Sequence, residues 1–364
     1  MRAPATAREL AQELAGGVAA GAVIRLDVGG CRIDVATNEP ALAEKLARYF
    51  RERLVDGARA PDFRIVAVEA PARELQGPWA AKEPDPGKKR IKEEWFDLPD
   101  GRVVRKRLTG MLFVFGGDLQ LAYGPCLAND NQVVNFVNNR YMQWRLAQGY
   151  LLAHAGAVAS EGRCLALCGP SGAGKSTAAL GLLSAGLDFV SNDRLLFKTR
   201  GDTVEVQGVP KHPRVNPGTL LFNPLLASTI QEPEHSRLLA LPPHELRTLE
   251  QKHDVLIDEV MGPGRFRMQG ELAALVVFHW TGEGEPTSRP IDLADRPELL
   301  PLITKSPGLF YEADAKDEAL DLSDARYVRT LARSTVIEIT GRQDFEAAQR
   351  LCLEALDLES AARG

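Results

Sequence analysis

A short apolar run, Cys164-Leu165-Ala166-Leu167-Cys168, leads directly into Gly169-Pro170-Ser171-Gly172-Ala173-Gly174-Lys175-Ser176. A stretch of helix formers with apolar spacing follows, from Ser176 to a terminating Gly186. Strand, glycine-rich turn and helix in this order match the G-x-x-x-x-G-K-[ST] phosphate-binding loop. Its chemistry needs these residue types. Glycines let the backbone curl so that successive N–H groups point inward at phosphate oxygens. A lysine at position 175 can reach the β- and γ-phosphates of a nucleotide, and the Ser176 hydroxyl can ligate Mg²⁺. The helix that starts here brings its positive dipole end to the same anion. The nucleotide-binding set expected from the sequence is Gly169, Pro170, Ser171, Gly172, Ala173, Gly174, Lys175, Ser176 and Thr177, with ATP and Mg²⁺ as the ligands.

The chain has 364 residues, enough for two domains or for one large domain with an appendage. A hydrophobic share of 45% and a charged share of 26% are ordinary for a globular protein. A formal charge of −5 argues against a general nucleic-acid binder. No apolar stretch approaches the roughly 20 residues that span a membrane. The start, Met1-Arg2-Ala3-Pro4-Ala5-Thr6, leads into an amphipathic pattern instead of a signal-peptide core. Five scattered cysteines with no C-x-x-C pair read as reduced, buried thiols of a cytoplasmic protein. Cys164 and Cys168 share strand parity and therefore one face.

Ahead of the loop the patterning alternates between helix and strand. Residues 7–20 read as a helix ended by Gly16-Gly17. Val23–Val28 and Cys31–Val35 form a hairpin around Gly29-Gly30, and a helix opens at Asn38-Glu39-Pro40 and runs to about Arg53. Phe63–Val68 is a further strand. Residues 71–92, with Pro71, Pro78, Pro84, Pro86 and the run Lys88-Lys89-Arg90, read as an exposed loop. Strands resume at Trp95–Leu98, Val103-Val104, Met111–Phe115 and Leu119–Tyr123, and a helix follows from about Asn131 to Gln148. Residues 1–145 are thus an expected N-terminal α+β region for recognition or oligomerisation, and 146–364 an expected phosphate-loop domain. Beyond the loop, strands are expected at Leu187–Val190, Leu195–Phe197, Val204–Gln207, Leu272–Trp280 and Thr335–Ile339, and an amphipathic helix over 343–358.

Phosphoryl transfer needs an acid near the γ-phosphate, either to hold Mg²⁺ or to accept a proton from the acceptor hydroxyl. Asp193 sits just past a short strand, 18 residues after Lys175, where the carboxyl edge of an open sheet binds ligands. It reads as the catalytic base, or as a turn or cap residue. Asn192 can hydrogen-bond but cannot act as a base. His154 is either a satisfied structural histidine or a proton-transfer group. Glu205 is either an Mg²⁺-side carboxylate or an exposed strand residue. Lys211 and Arg214, in a loop with fixed turns, suit a phosphate or an anionic acceptor, as does Arg265 in Gly262–Arg267; all three also fit solvated loop charge.

Taken in order, these stretches resemble the HPr kinase/phosphorylase family. The matching residues are His154-Ala155-Gly156, Gly169 to Ser176, Asn192-Asp193-Arg194 and Glu205-Val206-Gln207-Gly208, within about residues 150–280. The family carries Asp-Asp-Arg and Glu-[Ile/Val]-Arg-Gly where this chain has Asn192 and Gln207. Its two acids are linked to kinase and phosphorylase chemistry, so the reverse activity is in question here. The whole chain is similar to the HprK-related kinase B group, on Arg107–Met111, Asn131–Phe136 and Lys211–Thr219. That group is associated with gene clusters that also encode an ATP-grasp enzyme.

The resemblance implies a bacterial kinase with a fold related to phosphoenolpyruvate carboxykinase. It assigns Asp193 as base and Glu205 as an Mg²⁺ ligand, with a homo-oligomer as the assembly. The expected class is α/β, a phosphate-loop kinase core with an N-terminal α+β region. The expected reaction is transfer of the γ-phosphate of ATP to a hydroxyl, a serine of a partner protein, with catalysis by positioning and electrostatics. A metabolite kinase and a nucleotide-gated ATPase without an acceptor are the rivals, and neither nucleic acid nor membrane is an expected partner.

Overall fold

The computed structural model describes residues 5–18, 21–57, 59–83, 90–221, 223, 226, 229–230, 232–242, 245–246, 249, 251–312 and 320–363. The chain is mixed α/β with several sheets and divides into two compact units. One is Met1–Ala147 with Pro307–Ala319; the other is Gln148–Ser306 with Leu320–Gly364. The expected second region, 146–364, is therefore not one continuous stretch. The physical reason is aromatic packing: Phe310 lies against Phe113, Phe115 and Phe136 of the first unit.

The first unit carries an eight-stranded sheet in the order β1-β2-β3-β8-β7-β6-β5-β4. Its strands are β1 (Ala22–Val28), β2 (Cys31–Thr37), β3 (Phe63–Glu69), β4 (Ala80–Ala81), β5 (Glu93–Leu98), β6 (Gly101–Lys106), β7 (Leu112–Gly116) and β8 (Leu119–Gly124). Strand β3 runs parallel to both β2 and β8, and the other pairs are antiparallel. Helix α1 (Ala7–Ala15) is capped by Thr6, whose hydroxyl accepts the Glu9 N–H at 3.1 Å. Its Leu10 and Leu14 pack on Val103, Leu112, Val114 and Leu121, one face of the sheet. The alternate residues Phe113 and Phe115 point to the other face and pack with Phe136 of α3 (Asp130–Ala147), as the period of two requires. Helix α2 (Pro40–Tyr49) is shorter than expected; a single 3₁₀ turn, Arg51–Arg53, takes the chain onward.

The described part of 71–92 is not simply an exposed loop. Leu75 is buried, Trp79 stacks edge-on against Phe96 at 4.7 Å, and β4 pairs with β5. Pro84, Pro86, Lys88 and Lys89 lie outside the described residues, as do Met1 to Pro4.

The second unit is built on a nine-stranded sheet, β12-β10-β11-β17-β14-β13-β9, with β18 and β19 attached through β17. The strands are β9 (Leu151–Ala153), β10 (Gly156–Ser160), β11 (Arg163–Cys168), β12 (Asp188–Ser191), β13 (Leu195–Arg200), β14 (Thr203–Gly208), β17 (Gln269–Phe278), β18 (Thr287–Pro290) and β19 (Thr335–Thr340). A separate two-stranded ribbon pairs β15 (Arg214–Val215) with β16 (His253–Asp254). Strand β17 organises the sheet. It runs parallel to β11 along one edge; on the other it pairs first with β14 and then, from Ala274 onward, with β19. Buried on both faces, its Leu272–Phe278 segment is continuously apolar. Helix α4 (Lys175–Ser184) contacts β10, β11 and β12. Cys164, Ala166 and Cys168 face a cluster that includes Tyr327 and Leu331 of the helix Asp324–Leu331.

All five cysteines are free and buried, and burial pushes the thiols of Cys126, Cys164, Cys168 and Cys352 up to about 12. Among the described residues no helix is long and apolar enough to cross a membrane.

Candidate active site

Strand β11 ends at Cys168 and α4 begins at Lys175, so residues 169–174 form the turn between a buried central strand and a helix. Gly169, Gly172 and Gly174 hold φ of +147°, +84° and +90°, a region that favours glycine. Gly174 is doubly constrained: a Cβ there would sit 2.2 Å from the Phe345 ring. Two distant side chains pin the loop's carbonyls. The Trp280 indole donates to the Ala173 carbonyl at 2.9 Å, and the Gln343 amide donates to that of Gly172 at 2.8 Å. The Lys175 ammonium is buried and donates to the carbonyls of Gly169 (2.7 Å) and Pro170 (3.0 Å). Burial pushes its pKa down, opposed by the charges of Cys168 and Asp193.

A cavity of about 560 Å³ opens over this loop. Ser171, Gly172, Gly174, Lys175, Ser176 and Thr177 line it on the loop side. His154, Asn192, Asp193, Lys211 and Arg214 also line it, so residues from separate elements meet there. Each has a structural cause. His154 lies in the two-residue break where the chain leaves its pairing with β13 and takes up pairing with β11 and β12; its N–H donates to the Ile303 carbonyl at 2.8 Å. Asn192 and Asp193 follow the end of β12, next to β10. Lys211 lies between β14 and the β15–β16 ribbon, and Arg214 opens β15.

Asp193 is the cavity's one lining carboxylate among the described residues. His154 Nε2 lies 3.2 Å from its Oδ1, and Arg194 Nη1 donates to its Oδ2 at 2.6 Å. Burial would push this acid up. The hydrogen bond from His154 and the charges of Arg194 and Lys211 outweigh burial and hold it well below the usual carboxylate range. Lys211 is pushed down by burial, opposed by the nearby Asp193 charge.

Glu205 and Arg265 are not among the residues lining the cavity. The Glu205 carboxylate accepts the Tyr150 hydroxyl at 2.8 Å and the Gln207 amide at 2.7 Å, on a strand that pairs β13 with β17. Arg265 is tied to Asp188 at 2.7 Å and donates to the carbonyls of Gly186 and Leu187. Arg267 reaches the other Asp188 oxygen at 3.0 Å, so the basic loop braces the start of β12. Two lining residues, Lys252 and Phe345, carried no sequence signal. Lys252 precedes β16, and its carbonyl accepts from Arg214 at 3.2 Å. Phe345 opens the C-terminal helix (Phe345–Arg363).

No protein-family profile matches the chain, and no curated protein matches it. Among solved structures it aligns with the Hpr(Ser) kinase/phosphatase from Coxiella burnetii, at 10% identity over 58% of this chain and 97% of that one, with a TM-score of 0.31. The chemistry of the site is read from its own residues.

Those residues form a graded site. At the loop, N–H groups, a helix start and a buried ammonium suit the phosphates of a nucleotide. Asp193 follows, and Lys211, Arg214 and Lys252 add cationic charge. The Ser176 hydroxyl and the Asp193 carboxylate are hard oxygen donors of the kind Mg²⁺ takes when substrate phosphates and water complete its shell. Among the described residues no group of three His, Cys, Asp or Glu side chains gathers as a metal cage by itself.

Proposed function

We propose that the protein is an ATP-dependent kinase that transfers the γ-phosphate to a hydroxyl, a serine of a partner protein, by HPr-kinase-like chemistry. One observation carries the reading: the glycine–lysine–serine loop and the ionised Asp193 line the same cavity. The loop's N–H groups and the start of α4 hold the donor phosphates. Lys175 exchanges the Gly169 and Pro170 carbonyls for phosphate oxygens and offsets their charge. Mg²⁺ held by Ser176, the phosphates and water would neutralise the charge that develops on the transferring group. Asp193 orients the acceptor hydroxyl and takes its proton, while His154 and Arg194 hold the carboxylate in place. Catalysis on this reading is mostly positioning and electrostatic stabilisation. Partner recognition or oligomer formation by the first unit belongs to the same proposal.

Asn192 beside Asp193 supports a second reading, an ATPase switch with no acceptor. It supplies an amide where a second acid would otherwise stand in the cavity. The cations Lys211, Arg214 and Lys252 suit an anionic metabolite as the acceptor.

One experiment separates these readings. Wild type and Lys175→Ala are incubated with γ-labelled ATP, Mg²⁺ and a lysate of the source cell. Label in acid-precipitated protein, absent with the variant, supports the protein kinase. Label in a new soluble compound moves the acceptor to a metabolite. Free phosphate alone overturns transfer in favour of the switch, and no nucleotide turnover sinks the whole assignment.

A further inference from the structure

The phosphate-binding half of the cavity leaves open what would hold the rest of a nucleotide. Among the described residues Phe345 is the one lining residue with an apolar aromatic ring, and it is 42% exposed although Ala347, Ala348, Leu351 and Cys352 of the helix it opens are buried. Large apolar side chains exposed in a polar cavity are worth explaining, since exposure forfeits their burial. Its placement is set by close contacts. Phe345 and Gln349 lie four residues apart on one face of the C-terminal helix. They meet two glycines seven residues apart along the loop and α4. A Cβ on Gly174 would lie 2.2 Å from the Phe345 ring, and one on Gly181 would lie 2.6 Å from the Gln349 amide oxygen. The Gln349 amide also donates to the Gly181 carbonyl at 3.0 Å. Two residues ahead, Gln343 holds the Gly172 carbonyl. One edge of the ring therefore rests on the loop, and the remainder is open to the cavity.

We propose that Phe345 is the stacking platform for the base of the bound nucleotide. This deepens the nucleotide reading above and rests on it. A ring fixed beside Gly174, with Thr177 of α4 lining the same cavity, stands next to the phosphate cradle, where the base would extend from it. An aromatic face offers a base van der Waals and π contact whatever its edge carries, so the platform recognises the ring and not its substituents. Pre-organisation by the two glycine contacts means that little side-chain freedom is lost when the base arrives.

The test is calorimetric titration of the full chain with Mg²⁺ and either a non-hydrolysable ATP analogue or inorganic tripolyphosphate. Wild type is compared with Phe345→Ala, Phe345→Leu and Phe345→Trp. The stack should make the nucleotide bind at least about tenfold more tightly than tripolyphosphate in wild type. Phe345→Ala and Phe345→Leu should lose that advantage while tripolyphosphate affinity stays constant, and Phe345→Trp should keep it. Leucine retains an apolar contact with Gly174, so a loss in that variant reports the aromatic face and not the packing. Equal nucleotide affinity in all four proteins, or a parallel loss of both ligands in Phe345→Ala, overturns the platform and leaves the nucleotide reading standing. Wild type that binds neither ligand overturns the nucleotide reading itself.

Discussion

Arg140 in the first unit and Lys175 in the second are both buried cations, and burial pushes the pKa of each down. Their surroundings differ in kind. The Arg140 guanidinium lies over the rings of Phe115 and Phe136, at 4.8 and 5.3 Å, donates to Gln120 at 3.1 Å and reaches the Phe310 carbonyl. It is fully buried among the unit's own side chains. Lys175 donates to the Gly169 and Pro170 carbonyls of its own loop, and it borders open space with Ser176 and Asp193. The closed cation ties the return segment around Phe310 to the sheet, whereas the open one, on the function proposed above, keeps its charge for a ligand. Burial alone does not separate a structural charge from a functional one; what borders the charge does.

The largest effect expected from this contrast is on Lys175→Ala. Removing the open cation should lower phosphate transfer by about 10³-fold or more, with the thermal midpoint nearly unchanged. Transfer at wild-type rate would remove Lys175 from the site. Asp193→Asn should keep nucleotide affinity but reduce transfer by about 10²–10³-fold. Full transfer in that variant would leave Asp193 as a turn residue. Arg140→Met acts in the opposite sense: it leaves Gln120 and the Phe310 carbonyl without their donor. It should cost about 3 kcal/mol of stability, read by denaturant unfolding, while nucleotide affinity of the folded protein stays within about twofold. A large affinity loss there would break the comparison.

The pH dependence sharpens the same contrast. A lysine must be protonated to hold phosphate. With its pKa lowered by burial, the Lys175 contribution is complete below that pKa and is lost as pH rises through it, earlier than for an ordinary lysine near about 10.4. Nucleotide affinity measured against pH should therefore begin to fall before that value, and the fall should be smaller in Lys175→Ala, where Lys211 remains. An identical alkaline fall in the variant would assign it elsewhere. The smallest effect is expected from Glu205→Gln. Its carboxylate is engaged by Tyr150 and Gln207 outside the cavity, so transfer should change less than about threefold. A hundredfold loss would return Glu205 to the metal site.

How much of this was legible in the sequence depends on the range over which each feature is encoded. The strand before the loop, the positive-φ glycines, the helix after it and the two hairpins of the first unit follow from local period and turn chemistry. Asp193 adjoins a short strand whose end is readable, whereas His154 lies in a break between β9 and β10 that the local pattern does not mark. Glu205 could not be resolved: its position along β14 was clear, but the cavity lies elsewhere, and only the pairing of β14 between β13 and β17 shows this. The basic loop at Arg265 likewise looked free until Asp188 proved to be its counter-charge.

The amino-acid sequence by itself determined the strand–glycine loop–helix unit and the α/β alternation, because glycine torsions and hydrophobic period act over a few residues. Tertiary structure decided which remote groups share the cavity. Lys252 arrives on the ribbon, Phe345 arrives because the C-terminal helix packs on two glycines, and Phe310 returns to the first unit because three aromatic rings bury it. Those contacts depend on strand register and helix packing between segments far apart in the chain, which no local pattern specifies.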